Sequence, residues 1–296
     1  MNKEEYLNLE ELSYLNLIDK ILEKGEVRET RNATTKSLFG EKLEFDISNS
    51  IPFLTTKKLA WKIVIKELLW FLSGSTDNKK LQEQNVKIWN GNATREFMDK
   101  IGFLNREEND LGPIYGHQWR HFNAEYKDQN TDYTNKGIDQ INQVINLLKN
   151  DPMSRRILLS AWNPSQISEM NLPPCHMMAQ FYVSADKKLS CQMYQRSADV
   201  GLGLPFNIAS YSVLTYILAK LSNLTPHKLI IVLGDAHIYS THEESLKEQI
   251  KRKPFKFPKL VINPDKNFEK VEDFNIEDFI IEEYSYYEAI IMDMVA

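Results

Sequence analysis

The chain is poor in cysteine, arginine and long apolar runs, and each shortage removes a class of protein. Two cysteines in 296 residues, Cys175 and Cys191, cannot build a disulfide framework, and they lack the Cys/His spacing of a structural zinc site. A reducing, intracellular setting is expected, with no bound metal. No stretch approaches the roughly 18 uncharged apolar residues of a membrane span. The N-terminus, Met1-Asn2-Lys3-Glu4-Glu5, is acidic where a secretory leader would be basic and then apolar, so neither export nor membrane anchoring is expected. Formal net charge is -5, which argues against a general nucleic-acid scaffold but leaves room for a local basic pocket that holds one small anion. Arginine is scarce beside lysine, nine against 27. In such a chain Arg155-Arg156 and Arg196 invite a bidentate role, because a guanidinium fork matches phosphate or carboxylate where an ammonium does not. Surface ion pairing is the alternative for each.

What is present is enough for a sizeable core, with 42% hydrophobic residues and no internal repeat, low-complexity tract or Gly/Ser linker. The densest polar stretch, Asp128 to Lys136, is too short to separate two domains. A single domain over 1–296 is expected, with 1–11 as a flexible lead. Leu12, Leu15, Ile18 and Leu22 recur at helical spacing up to Gly25, and Leu59 to Leu72 reads as a buried helix stopped by Gly74. Ile138, Ile141, Ile145 and Leu148 mark a third helix. A strand over Arg156 to Trp162 is followed by a hairpin with arms Met177 to Ala185 and Leu189 to Tyr194, joined by Asp186-Lys187-Lys188. Alternation puts Cys191 on the side of Leu189 and Met193, a structural position. Pro205 starts the strongest helix, Phe206 to Leu221, and Leu229 to Leu233 forms a last strand. Helices mixed with mostly antiparallel strands predict an α+β fold.

Three features carry chemistry. Leu172-Pro173-Pro174-Cys175-His176 places a thiol after two prolines, which suits a rigid turn presenting a nucleophile; an ordinary small apolar residue is the alternative. Glu67 lies in the apolar helix Lys66-Glu67-Leu68-Leu69-Trp70-Phe71-Leu72, where an unpaired carboxylate is costly, so it is a functional acid or a hydrogen-bonded structural partner. The segment Gln195-Arg196-Ser197-Ala198-Asp199-Val200-Gly201-Leu202-Gly203-Leu204-Pro205-Phe206-Asn207 packs charged, hydroxyl and carboxamide groups between a strand and a helix start, where small ligands bind. Arg196 and Ser197 suit phosphate, and Asn207 suits a nucleobase edge. A polar loop with a helix cap is the bland reading.

From about Leu15 to Ala296 the sequence resembles the folate-dependent thymidylate synthases, in their eukaryote-like branch. The resemblance rests on Thr55-Thr56-Lys57, Glu67-Leu68-Leu69-Trp70-Phe71-Leu72, Asp110-Leu111-Gly112-Pro113-Ile114-Tyr115-Gly116, Arg155-Arg156, Pro173-Pro174-Cys175-His176, the Gln195 to Asn207 segment and Gly234-Asp235-Ala236-His237-Ile238-Tyr239, in the family's order. It implies the thymidylate synthase fold and reductive methylation of dUMP to dTMP, with 5,10-methylenetetrahydrofolate giving carbon and hydride and leaving as dihydrofolate. By the same resemblance Cys175 is the nucleophile at carbon 6 of dUMP, its thiolate favoured by Arg196. Phosphate is held by Arg31, Arg196 and Ser197, with Arg155 and Arg156 crossing from the second subunit of a homodimer. Asn207 binds the pyrimidine and His237 and Tyr239 the deoxyribose; His176, Gln195 and Ala198 complete the nucleotide set. Asp199, Trp89, Lys57, Asn92, Leu172, Gly203, Phe206, Val295 and Ala296 form the folate set, and Glu67 and Tyr115 serve proton transfer. His176 beside the thiol suggests a Cys-His dyad, but neighbours on an extended chain point apart, which favours a structural role.

Members of the family commonly carry Arg-Thr-Gly-Thr-Gly-Thr in the phosphate loop, where this chain has Arg31-Asn32-Ala33-Thr34-Thr35-Lys36 and is one residue shorter. Arg31 is therefore a weaker assignment than Arg196. The nearest rival is a pyrimidine nucleotide hydroxymethylase, for which a carboxylate would be expected at Asn207. From a different class, a regulatory RNA-binding protein is opposed by the net charge, although an RNA contact alongside catalysis stays open. A cytoplasmic, or cytoplasmic and nuclear, setting is implied. A fused dihydrofolate reductase has no room in 296 residues, so any such partner is expected to be separate.

Overall fold

The computed structural model describes residues 7–30 and 33–295. A six-stranded sheet in the order β1-β2-β6-β5-β4-β3 forms its frame, from β1 (Glu26–Glu29), β2 (Thr34–Asp46), β3 (Leu158–Ser160), β4 (His176–Val183), β5 (Lys188–Asp199) and β6 (Thr225–Tyr239). Only the β5–β6 pair is parallel; the other four pairs are antiparallel. This is the mixed, mostly antiparallel α+β arrangement expected. A two-stranded ribbon, β7 (Lys259–Ile262) with β8 (Phe279–Glu282), lies outside it.

Helix α7 (Gly203–Ser222) is the centre of the molecule. It packs on β5 and β6 and against α2 (Trp61–Leu72) and α6 (Gln140–Asn150), so nearly every face is buried, from Leu204 and Ile208 to Leu218 and Leu221. That explains its almost unbroken apolar sequence. It starts at Gly203, two residues before Pro205, which fits a first turn whose N–H groups need no partner within the helix. Helix α6 begins after Asp139, whose side chain accepts the Asn142 N–H at 3.0 Å, a helix cap that the Ile138 register does not reveal.

Helix α1 covers Leu9–Lys24, so residues 9–11 of the expected lead are helical and Glu11 is fully buried. The helix ends at Gly25, whose backbone turns extended; a Cβ there would lie 2.4 Å from the Ile21 carbonyl oxygen, so glycine suits the position. The expected strand over Arg156 to Trp162 shrinks to Leu158–Ser160 at the sheet edge. Strand β6 is far longer than Leu229 to Leu233, running to Tyr239 between two partners. The hairpin forms with arms His176–Val183 and Lys188–Asp199, the second running five residues past the expected end at Tyr194; Leu189, Cys191 and Met193 are fully buried, and Lys187 takes the turn at φ 60°.

The remaining helices are α3 (Lys79–Gln82), α4 (Arg95–Lys100), α5 (Tyr115–His121) and α8 (Glu243–Gln249). Among the described residues no helix is long and apolar enough to cross a membrane.

Candidate active site

Cys175 sits immediately before β4, and the Gln195 to Asn207 segment begins on the neighbouring β5, so sheet pairing brings the two motifs together. His176 pairs with Gln195, and the Arg196 N–H donates to the Cys175 carbonyl at 2.9 Å. The Arg196 guanidinium then locks the prolyl turn: Nε donates to the Pro174 carbonyl at 2.8 Å and Nη2 to Pro173 at 2.9 Å. Nη2 also lies 4.0 Å from Cys175 Sγ. Burial pushes the thiol above its ordinary pKa, and the guanidinium charge pulls it back without cancelling that effect. Arg196 is thus the charged neighbour of the sulfur, but the resting thiol is not predisposed to ionise. Cys191 is fully buried and pushed up to about 12 by burial, an inert position.

His176 takes no part in a dyad. Its ring stacks on Tyr115 at 4.0 Å, its Nδ1 meets the Tyr211 hydroxyl at 2.9 Å, and burial drives it down to about 3. It is a neutral core group. Tyr115, at the start of α5, turns its hydroxyl to accept the Cys175 backbone N–H at 2.7 Å. The proline pair, Arg196 and Tyr115 together fix where the sulfur sits.

Glu67 projects from α2 into the same recess, part of its surface open while protein packs densely around its carboxyl. Trp89 Nε1 donates to it at 2.7 Å. Burial pushes the carboxyl up to about 7, the indole N–H opposing in part. Trp89 in turn stands edge-on to Phe71 and Tyr115. Among the described residues the side chains of Ser197 and Asn207 make no hydrogen bond, and Arg196 Nη1 is uncommitted. Gln195 is buried and spends its amide on the Ser197 carbonyl at 3.0 Å, with its own oxygen unpartnered. Ala198 is fully buried opposite Ala236, so its side chain belongs to the core and not to a ligand surface.

The parallel pairing of Asp199 with His237 carries the wall onto β6. His237 Nδ1 meets Asp235 at 3.2 Å, and its ring stands edge-on to Tyr239 at 5.1 Å. Asp199 caps the turn that follows, accepting the Gly201 N–H at 2.9 Å and that of Leu202 at 3.2 Å. Lys57 Nζ donates to the Gly201 carbonyl from the other side. Burial pushes Lys57 down to about 8, with Asp199 holding it up. Burial pushes Asp199 up, but His242 and the turn N–H groups outweigh it and hold the carboxyl below its ordinary value.

His242 was not anticipated. Its Nδ1 lies 3.8 Å from Asp199, an ion-pair distance and not a hydrogen bond, while Nε2 meets the Asp293 carbonyl at 2.7 Å. It joins the Asp199 turn to the C-terminal segment, which also runs past Thr55 through the Tyr287 N–H at 2.8 Å. A histidine three residues after Tyr239, on the same approach as His237, was the available signal.

Asn92 is buried, with its carbonyl accepting Asn171 Nδ2 at 2.8 Å; Leu172, Phe206 and Val295 are partly buried, and Gly203 opens α7. Arg31 and Ala296 lie outside the described residues. Around the former, β1 and β2 pair up to Glu29 and Thr34, and the Thr30 N–H donates to the Ala33 carbonyl at 3.2 Å.

Arg155 and Arg156 are not brought to this site. Both are exposed, and the Phe181 N–H to Ile157 carbonyl bond of 2.9 Å sets them beside Tyr182, six residues along β4 from His176. At 3.3 Å per residue that is about 20 Å from the thiol. Among the described residues, no group of three or more His, Cys, Asp or Glu side chains is arranged to hold a metal.

A thiol, a guanidinium and unpartnered polar groups at the junction of two strands and a helix start define a small-molecule site in an α+β frame. The chain belongs to the thymidylate synthase family, whose model matches residues 12–296. It is 50% identical to the thymidylate synthase of Homo sapiens over 96% of this chain and 90% of that protein. To the bifunctional dihydrofolate reductase-thymidylate synthases of Zea mays and Paramecium tetraurelia it is 53% identical, over 96% of this chain and 54% and 61% of those proteins. The chain spans about half the length of these bifunctional relatives.

Proposed function

We propose that the protein methylates dUMP to dTMP, using 5,10-methylenetetrahydrofolate as donor of carbon and hydride and releasing dihydrofolate. The observation that carries this reading is the Cys175 thiol held beside Arg196, whose strand leads into Ser197 and Asn207, two side chains that make no hydrogen bond among the described residues. Carbon 5 of uracil is a poor nucleophile. Addition of the Cys175 thiolate to carbon 6 pushes an electron pair toward carbon 5 and the 4-carbonyl, which splits one hard step into two easier ones. The thiol proton leaves to solvent as the sulfur–carbon bond forms. Carbon 5 then bonds the methylene carbon of the folate; loss of the carbon 5 proton breaks the methylene's bond to the folate nitrogen, and hydride delivered to the methylene expels the Cys175 sulfur from carbon 6.

Nucleotide phosphate fits Ser197 and the free arm of Arg196, whose other arm stays on the prolyl turn. Asn207 can donate to a uracil oxygen and accept from its N3 hydrogen. His237 and Tyr239 face the ribose end. Glu67 is half protonated near neutral pH, which suits a group that passes protons to and from the 4-carbonyl through water. The residues assigned to the folate fit a flat, polar-edged ring. Trp89 offers an aromatic edge, Asp199 a carboxylate already aligned by its turn, and Lys57 an ammonium that donates to the Gly201 carbonyl. The C-terminal segment lies against the same turn, Met292 close to Gly201. The folate supplies the one-carbon unit and the hydride; the chain's own work is to align it and keep water away.

A homodimer is part of this reading. Opposite the buried Leu189, Cys191 and Met193 side of the sheet, Leu158, Met178 and Tyr182 are exposed and Tyr194, Ile230 and Val232 half-buried among the described residues, an apolar surface suited to a second copy. Arg155 and Arg156 sit at its edge, too far from their own Cys175 to share its phosphate, which supports delivery across the interface. Following dihydrofolate absorbance during incubation with dUMP and methylenetetrahydrofolate tests the function. Turnover lost in Cys175→Ser supports it, and turnover retained at the wild-type rate refutes it.

A further inference from the structure

Glu11 is a carboxylate sealed inside the protein, with 0% of its surface exposed, and the chemistry above does not use it. An ionised group in that position is costly unless every acceptor site is occupied. Here four donors converge on it. Oε1 accepts the Thr55 N–H at 2.8 Å, the Thr56 N–H at 2.7 Å and the Thr56 hydroxyl at 2.8 Å, and Oε2 accepts the Thr55 hydroxyl at 2.6 Å. Among the described residues no lysine or arginine pairs with the carboxylate.

The two threonines pass this alignment outward. Thr55 Oγ1 accepts the Phe255 N–H at 2.8 Å, and Thr56 Oγ1 accepts Gln249 Nε2 at 2.9 Å. The Thr55 carbonyl accepts the Tyr287 N–H at 2.8 Å. Arg252 Nη1 donates to the Thr56 carbonyl at 2.7 Å and to the Glu288 carbonyl at 2.9 Å. The next residue is Lys57, whose ammonium holds the Gly201 carbonyl in the Asp199 turn. One carboxylate therefore ties helix α1, the Lys57 turn, α8 and the C-terminal segment into a single connected unit.

That place is built for acceptors. Glutamine has the same shape, and its oxygen at the Oε1 position keeps both backbone N–H groups and the Thr56 hydroxyl, but its NH2 then meets the Thr55 hydroxyl, which loses the acceptor it now donates to. We propose that Glu11 is a positioning residue for the folate half of the site, fixing Thr55-Thr56 so that Lys57 and the C-terminal segment keep their places while it touches neither substrate. This rests on the assignment of Lys57, Asp199 and the C-terminal segment to the folate.

The test is Glu11→Gln, with kcat, the KM for methylenetetrahydrofolate and the Kd for dUMP in the binary complex measured on the full chain. The folate KM is expected to rise at least about tenfold, the scale on which misplaced groups lose productive binding, while the dUMP Kd stays within about twofold. Ile21→Val, ten residues along the same helix, controls for general loosening and is expected to leave both values within about twofold. Should Glu11→Gln fail to fold, Thr56→Val removes one donor at similar volume and is expected to raise the folate KM in the same direction. An unchanged folate KM, or equal weakening toward both ligands, in an otherwise active protein overturns the positioning role alone. A wild-type protein without turnover overturns the functional reading and this role with it.

Discussion

Replacing Glu67 by glutamine is expected to stabilise the protein above neutral pH while removing most of its turnover. Burial moves this carboxyl from 4.5 up to about 7, with the Trp89 N–H opposing in part. At 1.36 kcal/mol per tenfold change in protonation equilibrium, the difference amounts to about 3 kcal/mol, trimmed by whatever solvent reaches the open side of the residue. The folded state holds this proton more tightly than the unfolded chain does. Wild-type stability therefore falls as pH rises from about 4.5 to about 7, and below that window the penalty is absent. Glutamine carries no such penalty and keeps an oxygen for the Trp89 indole. Urea unfolding of both proteins from pH 4.5 to 8.5, at one fixed protein concentration because association adds to apparent stability, measures the gap. It should open from near zero to about 3 kcal/mol. Parallel curves, or a variant weaker than wild type at the alkaline end, would refute the argument that a buried, protonatable acid sits here.

Two further outcomes follow from the proposed site. Asn207→Asp exchanges a donor-acceptor pair for an acceptor, so preference is expected to move from dUMP toward dCMP, read as the ratio of kcat/KM for the two nucleotides; unchanged selectivity counts against the base contact. If Arg155 and Arg156 cross between subunits, mixing Cys175→Ser protein with an Arg155→Glu, Arg156→Glu double variant restores one complete site in each mixed dimer. After random exchange of equal amounts, about a quarter of wild-type activity is expected from two inactive parents, and none if the arginines serve their own subunit.

The sheet and the central helix were legible where burial dictates sequence. Leu189, Cys191 and Met193 alternate because one face of β5 meets α7, and α7 reads as continuous apolar sequence because nearly every face of it is buried. Strand β2 escaped detection for the converse reason: its inward positions begin with Thr35 and Ser37 before reaching Leu43 and Phe45, so no apolar alternation marks its first half. The length of β6 was hidden at both ends: Thr225-Pro226-His227-Lys228 shows no apolar alternation, and Gly234 interrupts the apolar run before the buried Ala236 and Ile238 resume it between Asp235, His237 and Tyr239.

Within the site, Cys175 lies beside Arg196 as expected, but the Trp89 hydrogen bond to Glu67 was not anticipated, nor was the burial that outweighs Arg196 and raises the thiol, since burial depends on what the fold places around it. Glu11 lay inside the stretch taken for a lead. Its spacing before Tyr14, Leu15 and Ile18 puts it on the buried face of α1, and that was the missed clue.

The measurement closest to the central claim uses dUMP carrying tritium at carbon 5. Attack by Cys175 at carbon 6, followed by methylation at carbon 5, requires that this hydrogen reach water in equal number with the dTMP and dihydrofolate formed, and that all three vanish in Cys175→Ser. Tritium release without dihydrofolate would mark the water-terminated route of a hydroxymethylase, and equal release from Cys175→Ser would contradict the account.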